Sequence, residues 1–285
     1  MPRPFDPIEA LPLTEQQGQT FPRLVELMQR LLAPDGCPWD RKQSFESLRR
    51  YVIEEAAEVV DAIDHGDRRE LRDELGDLLL QVVFQCELGR AEGAFGPDDV
   101  VKAIVDKLVR RHPHVFADVE VSGADEVLEN WEQIKAAERK DKQDDRGVLG
   151  SIPRALPSLL RAQRLGEKAS HVGFDWSSAE GPRAKVDEEL REIDEAVAGG
   201  DRARIEAEIG DAFFALVSLA RHLGVDAEAS LRHANDRFLH RFGHVEARVA
   251  ENHGGFHAGK VRPAILEGYW HEAKEREREG DQENE

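Results

Sequence analysis

Two groups of carboxylate side chains have the residue types and the spacing of a metal site, and this spacing occurs twice in the 285-residue chain. Each group is a Glu-Glu-x-x-Glu segment followed by a Glu-x-x-Asp segment. The members are Glu54, Glu55, Glu58, Glu74 and Asp77 in the first group and Glu188, Glu189, Glu192, Glu208 and Asp211 in the second. Each residue of the second group lies 134 positions after its counterpart, from 188 less 54 to 211 less 77. Five acids that match without a gap indicate an internal duplication.

A helical hairpin is the element that must position each group. Apolar residues recur at helical spacing on both sides of Gly66 and again around Gly200. Glu58 lies eight residues before Gly66 and Glu74 lies eight residues after it. At about 1.5 Å of rise per residue, both would lie roughly 12 Å from the turn. We therefore expect the two helices of each hairpin to bring their acids onto one seam.

Carboxylates that converge in this way need a counter-charge. Two like charges about 4 Å apart repel by about 4 kcal/mol at an effective dielectric constant near 20, so an empty cluster should show raised carboxyl pKa values or separated side chains. A hard divalent cation removes this repulsion, which predicts Mg²⁺, with Mn²⁺ as the alternative. Solvated acids on charged helices are the competing interpretation, since 34% of the residues are charged. The paired and duplicated pattern favours the metal.

Cationic and aromatic residues are also duplicated downstream of each acidic group. The basic pairs are Lys107 with Arg111 and Arg237 with Arg241, and the Trp-x-x-x-Lys segments are Trp131 with Lys135 and Trp270 with Lys274. Residues four apart on a helix share one face, so both cations of a pair can reach one anion. A tryptophan and a lysine at this spacing can hold a base and a phosphate. The competing interpretations are a solvated basic patch, and a core tryptophan beside a lysine that extends to solvent.

The composition limits the partners and the location. A net charge of −19 argues against binding to a nucleic-acid duplex or an anionic membrane, whereas a free nucleotide with its own Mg²⁺ is compatible with it. We see no signal peptide and no run of about 18 apolar residues, so we expect a cytoplasmic protein without a membrane span. Cys37 and Cys86 are the only cysteines, and we expect reduced thiols.

An all-α fold is predicted because neither half shows the alternation of β-strands. Each half must bury an apolar stripe, which requires a four- or five-helix bundle or a dimer. The predicted organisation is an irregular lead (1–20), a first helical domain (21–139), a linker (140–157), a second helical domain (158–279) and a disordered tail (280–285). The individual helices predicted outside the first hairpin cover 21–32, 158–169, 182–198, 202–223, 226–250 and 263–279.

At the duplicated hairpins the chain closely resembles the MazG family of nucleoside triphosphate pyrophosphohydrolases. The matching stretches are CPWDRKQSFESLRRYVIEEAAEVVDAI and DELGDLLLQVVF, then KVDEELREIDEA, AEIGDAFFALVSLARHLG, ANDRFLHRF and YWHEAK. The resemblance implies two tandem helical-bundle domains, homodimerisation and Mg²⁺ dependence. It also implies broad hydrolysis of nucleoside triphosphates to monophosphate and pyrophosphate, as nucleotide-pool housecleaning.

The resemblance further implies roles for single residues. In the second half the metal ligands would be Glu189, Glu192, Glu208 and Asp211, with Glu188 orienting or activating water, so that the catalytic set is Glu188, Glu189 and Glu192. Nucleotide contacts would come from Asn235, Arg237, Arg241 and Lys274, with Trp270 beside them. The first-half equivalents are Glu55, Glu58, Glu74, Asp77, Lys107, Arg111, Trp131 and Lys135. We expect the second half to carry the hydrolysis.

Two other functions stay open at this point. A non-catalytic helical protein that senses nucleotides or binds a partner would keep the acidic seam without turnover. A narrow dUTP or dCTP pyrophosphatase of the same superfamily would share the chemistry and differ in its base preference.

Overall fold

The computed structural model describes residues 20–123, 126–127, 130–131, 134, 138 and 147–282. This part of the chain contains helices and no strand, which confirms the all-α prediction. Residues 1–19 of the predicted lead, Lys135 and residues 140–146 of the predicted linker lie outside the described residues. The chain divides into two compact units, residues 1–141 and 142–285.

Up to residue 116 the first unit forms five helices, and the first three of them enclose an apolar core. They are α1 (Phe21–Leu32), α2 (Phe45–His65), α3 (Arg68–Ala91), α4 (Pro97–Arg111) and α5 (Pro113–Phe116). The core contains Met28, Leu48, Val83 and Phe84, so that α1, α2 and α3 pack on one another. A short 3₁₀ helix (Asp40–Lys42) precedes α2.

The hairpin of α2 and α3 has clear local causes. Ser44 begins α2 with a capping box, in which its hydroxyl accepts a hydrogen bond from the backbone N–H of Ser47. Gly66 ends α2 with φ of 74°, a left-handed conformation that glycine adopts without steric cost. Asp67 then caps α3 by accepting a hydrogen bond from the backbone N–H of Arg69. One residue therefore separates the end of one helix from the cap of the next.

The second unit repeats this hairpin. Its helices are α6 (Ser158–Ser170), α7 (Glu180–Gly199), α8 (Arg202–His222), α9 (Ala227–His253) and α10 (Pro263–Gln282). Gly200 ends α7 with φ of 67°, and the Asp201 carboxylate accepts hydrogen bonds from two N–H groups at the start of α8. Helix α6 packs against α8 and α9, and α10 packs along α9. The predicted duplication thus extends to the turn and its caps.

The helix bounds agree with the predicted ones to within a few residues. Helix α10 continues to Gln282, so residues 280–282 of the predicted disordered tail are helical, and residues 283–285 lie outside the described residues. Ile152, in the predicted linker, is buried, which shows that this end of the segment packs on the protein. None of the described helices combines the length and the hydropathy that crossing a membrane requires.

Candidate metal and nucleotide site

We define the second cluster as Glu189 on α7 with Glu208 and Asp211 on α8. One carboxylate oxygen from each residue lies within 4.8 Å of the other two. Glu189 lies 11 residues before Gly200 and Asp211 lies 11 residues after it, so the antiparallel helices place them at the same height. The hairpin therefore brings three oxygen donors together.

We define the first cluster as Glu55 and Glu58 on α2 with Glu74 on α3, which meet under the same criterion. Of the eight predicted ligands, Asp77 and Glu192 lie outside these two groups of three. Both lie close enough to interact: after burial, the charge of Asp77 helps to raise the pKa of Glu55, and after burial, the charges of Glu208 and Glu189 help to raise the pKa of Glu192. The structure thus brings three of the four predicted ligands together in each unit and keeps the fourth nearby.

Carboxyl pKa values are raised in the first cluster. Burial is the main cause for Glu55, followed by the charges of Asp77 and Glu58. Burial is also the main cause for Glu74, again followed by neighbouring carboxylates. Raised pKa values are the expected result when acids share a site without a counter-charge.

The second cluster contains cations of its own. The Nζ atom of Lys185 lies 2.6 Å from Glu189 Oε1 and 2.9 Å from Glu188 Oε1. The Nε atom of Arg204 lies 3.2 Å from Glu208 Oε1. The Lys185 ammonium lowers the pKa of Glu188, and hydrogen bonds to the two glutamates raise the pKa of Lys185 itself.

Sequence reasoning missed Lys185 and Arg204. Both stand four residues before the acid that they contact, which is the ordinary spacing of a helical ion pair. They are not part of the duplicated pattern, because Tyr51 and Glu70 occupy the aligned positions in the first unit.

The residues of the second cluster fit a hard divalent cation. Glu189 is only 2% exposed, and its Oε2 atom is buried without a hydrogen-bond partner. A buried carboxylate oxygen without a partner is unfavourable unless another group satisfies it. All three donors are carboxylate oxygens, which suit Mg²⁺ or Mn²⁺ better than softer metals. The site can therefore hold such an ion.

The second residue of each predicted basic pair is an arginine, and it forms an ion pair with a glutamate further along the chain. Arg241 contacts Glu277 Oε2 through Nε at 2.9 Å and Nη2 at 2.7 Å. Arg111 contacts Glu138 Oε2 through Nε at 3.2 Å and Nη2 at 2.5 Å. The Arg111 guanidinium is the main cause that lowers the pKa of Glu138 to about 2.

These two glutamates were also missed by sequence reasoning. Glu138 and Glu277 each lie seven residues after the tryptophan of their Trp-x-x-x-Lys segment. The signal was present, since the 139-residue offset between Trp131 and Trp270 relates the two glutamates as well.

The remaining predicted nucleotide contacts lie on α9 and α10. The Trp270 ring lies 5.1 Å from the Phe238 ring, and the Arg241 guanidinium lies 5.8 Å from the Trp270 ring. Asn235 and Arg237 are exposed and Lys274 is half-buried. No hydrogen bond or ion pair in the described part of the second unit links these residues to the second cluster.

The structure describes fewer contacts for the corresponding nucleotide-contact residues of the first unit. Lys107 is half-buried on α4, and the Trp131 ring lies 5.8 Å from the His112 ring. The structure therefore gives the setting of Trp131, Lys107 and Arg111, while Lys135 lies outside the described residues.

Comparison with known proteins gives a consistent result. The MazG nucleotide pyrophosphohydrolase domain matches the chain twice, at residues 43–116 and 178–249. The nucleoside triphosphate pyrophosphohydrolase of Escherichia coli strain K12 is 46% identical over 261 residues, which are 90% of this chain and 97% of that protein. The nucleoside triphosphate pyrophosphohydrolase/pyrophosphatase MazG of Thermotoga maritima is 42% identical over 260 residues, which are 91% and 98% of the two chains.

A crystal structure of a mazG-related protein from Thermotoga maritima matches with a TM-score of 0.36 and 26% identity, covering 40% of this chain and 98% of that one. The two domain matches coincide with the duplicated hairpins and each contains one carboxylate cluster. The resemblance inferred from the sequence is therefore confirmed, and the chain belongs to the MazG nucleotide pyrophosphohydrolase family.

Proposed function

We propose that the protein hydrolyses a broad range of nucleoside and deoxynucleoside triphosphates to monophosphate and pyrophosphate with Mg²⁺, as part of nucleotide-pool housecleaning. The observation that carries this proposal is the second cluster, in which Glu189 is buried. Family membership and the names of the full-length relatives support the reaction class.

In this proposal, different carboxylates at the second cluster bind the metal and accept a proton. Glu189, Glu208 and Asp211, joined by Glu192, would hold Mg²⁺. When bound, the ion neutralises phosphate charge and lowers the pKa of a water molecule. Glu188 lies outside the group of three, and its Oε1 atom is engaged by Lys185. Its Oε2 atom is therefore the proposed acceptor for the proton of the attacking water.

Helices α9 and α10 would hold the nucleotide. Arg237 and Lys274 form no ion pair with other described side chains, so both cations are available to phosphate oxygens. Arg241 is bound by Glu277 and lies beside the Trp270 ring. We assign to this ion pair the task of fixing α10 on α9, so that Trp270 and Lys274 present one surface. Asn235 would add an amide contact.

The first unit keeps the corresponding ligand set. Glu55, Glu58 and Glu74, with Asp77 beside them, would hold a metal there too. Lys107, Arg111 and the Trp131 to Lys135 segment are the proposed nucleotide contacts of this unit. We expect this unit to contribute less to turnover than the second.

We infer that the working form is a homodimer. Phe213 and Leu216 on α8, with Phe238 and Leu239 on α9, are each at least 48% exposed. We infer that they form one apolar patch, and such patches mark protein interfaces. Light scattering after gel filtration should give twice the chain mass of 32.1 kDa. The Leu239→Glu variant should shift towards monomer, and a monomeric wild-type protein would contradict the inference.

The cytoplasmic location and the absence of a duplex nucleic-acid partner and of a membrane partner stay predictions. The net charge of −19 supports the two expectations about partners, because phosphate backbones and anionic lipids repel an acidic surface.

The direct test is a phosphorus NMR time course with each triphosphate in Mg²⁺. Equimolar monophosphate and pyrophosphate are expected, and EDTA should stop the reaction. The matched control is Glu189→Gln, which keeps the side-chain shape and removes the charge. Release of inorganic phosphate alone would contradict the proposed bond cleavage.

The same panel separates the alternatives. Nucleotide binding without turnover over hours would favour a sensing or partner-binding protein. Turnover confined to dUTP or dCTP would favour the narrow pyrophosphatase.

A further inference from the structure

Lys185 is the cation nearest to the second cluster, and it holds the one ligand that is almost fully buried. Its Nζ atom contacts Glu189 Oε1 at 2.6 Å, while Glu189 Oε2 is buried and has no hydrogen-bond partner. The lysine side chain is 37% exposed, so it can leave the carboxylate without being drawn out of a packed core. One oxygen of Glu189 is therefore occupied by the protein's own cation and the other is unsatisfied.

Among the described residues, the first cluster has no such cation. Tyr51 occupies the position aligned with Lys185, and its hydroxyl accepts a hydrogen bond from Arg50 rather than contacting a carboxylate of the cluster. No ion pair involves Glu55, Glu58 or Glu74 in the described residues. No described cation therefore contacts the three carboxylates of the first cluster, whereas Lys185 and Arg204 offset two of the three charges in the second.

We propose that Lys185 is a built-in counter-cation that positions Glu189 before metal binds and makes metal loading of the second cluster depend on the nucleotide, while the first cluster binds metal by itself. This proposal rests on the proposed function, because it takes the two clusters to be metal sites.

The physical reason is competition between cations. A divalent ion at the second cluster must displace Lys185 from Glu189 or share that carboxylate with it, which weakens binding. A triphosphate supplies oxygens to the metal and a new anionic partner for the displaced ammonium, so it removes both obstacles. At the first cluster no described side chain competes with the metal in this way.

The test measures Mn²⁺ binding to the full chain from the electron paramagnetic resonance signal of the free ion. Glu58→Gln with Glu74→Gln disables the first cluster, so that the remaining specific binding reports on the second. In this background we expect Lys185→Met to tighten Mn²⁺ binding roughly tenfold or more without nucleotide. Lys185→Arg keeps the charge and should leave the affinity near that of the background.

Tyr51→Phe is the matched control at the aligned position, and in the chain with both clusters intact it should leave Mn²⁺ binding unchanged. Adding a non-hydrolysable α,β-methylene triphosphate should tighten Mn²⁺ binding at the second cluster roughly tenfold, and by less after Lys185→Met. Circular dichroism of each variant identifies any that misfold. For those, Lys185→Gln replaces Lys185→Met in the same comparison.

Unchanged or weaker Mn²⁺ binding after Lys185→Met would overturn the proposal, as would equal affinities of the two clusters in the wild-type chain. Pyrophosphate release by the wild-type protein is measured in parallel with Mg²⁺. It tests the proposed hydrolysis separately from the role of Lys185. Release combined with unchanged Mn²⁺ affinity overturns the role of Lys185 alone. A tenfold shift without release contradicts the proposed hydrolysis and supports the role of Lys185.

Discussion

The two carboxylate clusters are built by the same hairpin and differ in what surrounds them. Gln81 donates a hydrogen bond to Glu55 in the first cluster, while the aligned residue in the second unit is the small, buried Ala215. Glu189 is almost fully buried, whereas Glu55, its counterpart, is half-buried. Duplication thus kept the acids and changed their neighbours. In the proposed function the acids mark the reaction site, and their neighbours distinguish the two copies.

The largest expected difference concerns turnover. Glu192→Gln should abolish pyrophosphate release, whereas Glu58→Gln, at the aligned position, should weaken it less. Loss of a residue that only supports a metal ligand typically costs about 10- to 100-fold, so loss of a ligand should exceed that range. Steady-state rates with saturating Mg²⁺ measure both variants. Equal losses would mean that the two clusters share the work.

The paired arginines give a second, smaller contrast. Glu277→Gln should raise the KM for triphosphate roughly fivefold, because replacing the charge-assisted hydrogen bonds to Arg241 by neutral ones costs about 1 kcal/mol. Glu138→Gln makes the same change beside Arg111 in the first unit and should leave KM nearly unchanged. Initial rates over a range of triphosphate concentrations test the pair. Matching increases in KM would show that both units bind the substrate that is turned over.

The turns should behave alike in the two units. Gly66→Ala and Gly200→Ala should each destabilise their hairpin by about 1 kcal/mol, because both glycines have positive φ. The added methyl group meets no atom within 4 Å at either position, so conformational strain is the only cost. Hydrogen exchange of the flanking helices measures each hairpin separately. Unequal protection losses would show that the hairpins differ in more than their surroundings.

The pH dependence of stability should show the smallest difference. A raised carboxyl pKa means that the folded state binds its proton more tightly, so stability falls as the pH rises through the ordinary value of 4.5. In EDTA at pH 7, Glu55→Gln should therefore raise the melting temperature by about 1–2 °C and have little effect at pH 4.

Glu188→Gln is the control, because it should change the melting temperature at pH 7 in the opposite direction. Lys185 lowers the pKa of Glu188, so its charge stabilises the fold above pH 4.5, and this variant should melt earlier at pH 7. Thermal denaturation followed by circular dichroism measures both. A lower melting temperature for Glu55→Gln in EDTA would contradict the conclusion that the Glu55 charge destabilises the first cluster.

Much of the fold could be predicted from the chain because its signals are repeated. Helical periodicity, the central glycine and equal distances to the acids together define a hairpin, and the structure has one at both places. The convergence of Glu189 with Glu208 and Asp211 follows from that geometry alone. Burial of Glu189 does not, because it depends on packing between helices that spacing cannot reveal.

The neighbours of the site were harder to predict for a physical reason. Lys185 and Arg204 occur in one copy only, and one charged residue beside an acid is common on any helix. Asp175 is a further example, since its carboxylate contacts both Arg221 and His222 across 46 and 47 residues of chain. Contacts between residues so far apart produce no periodic pattern in the sequence.

The compact glycine turn also constrains how such a chain can change in length. One residue inserted between Glu189 and Glu208 would rotate one carboxylate face by about 100° relative to the other and disperse the oxygens. Downstream of the hairpin no such restriction applies, and there the spacing between the copies does vary, from 130 for the basic pairs to 139 for the tryptophans. Between the two copies, therefore, the paired helices keep their length and the segments downstream of them do not.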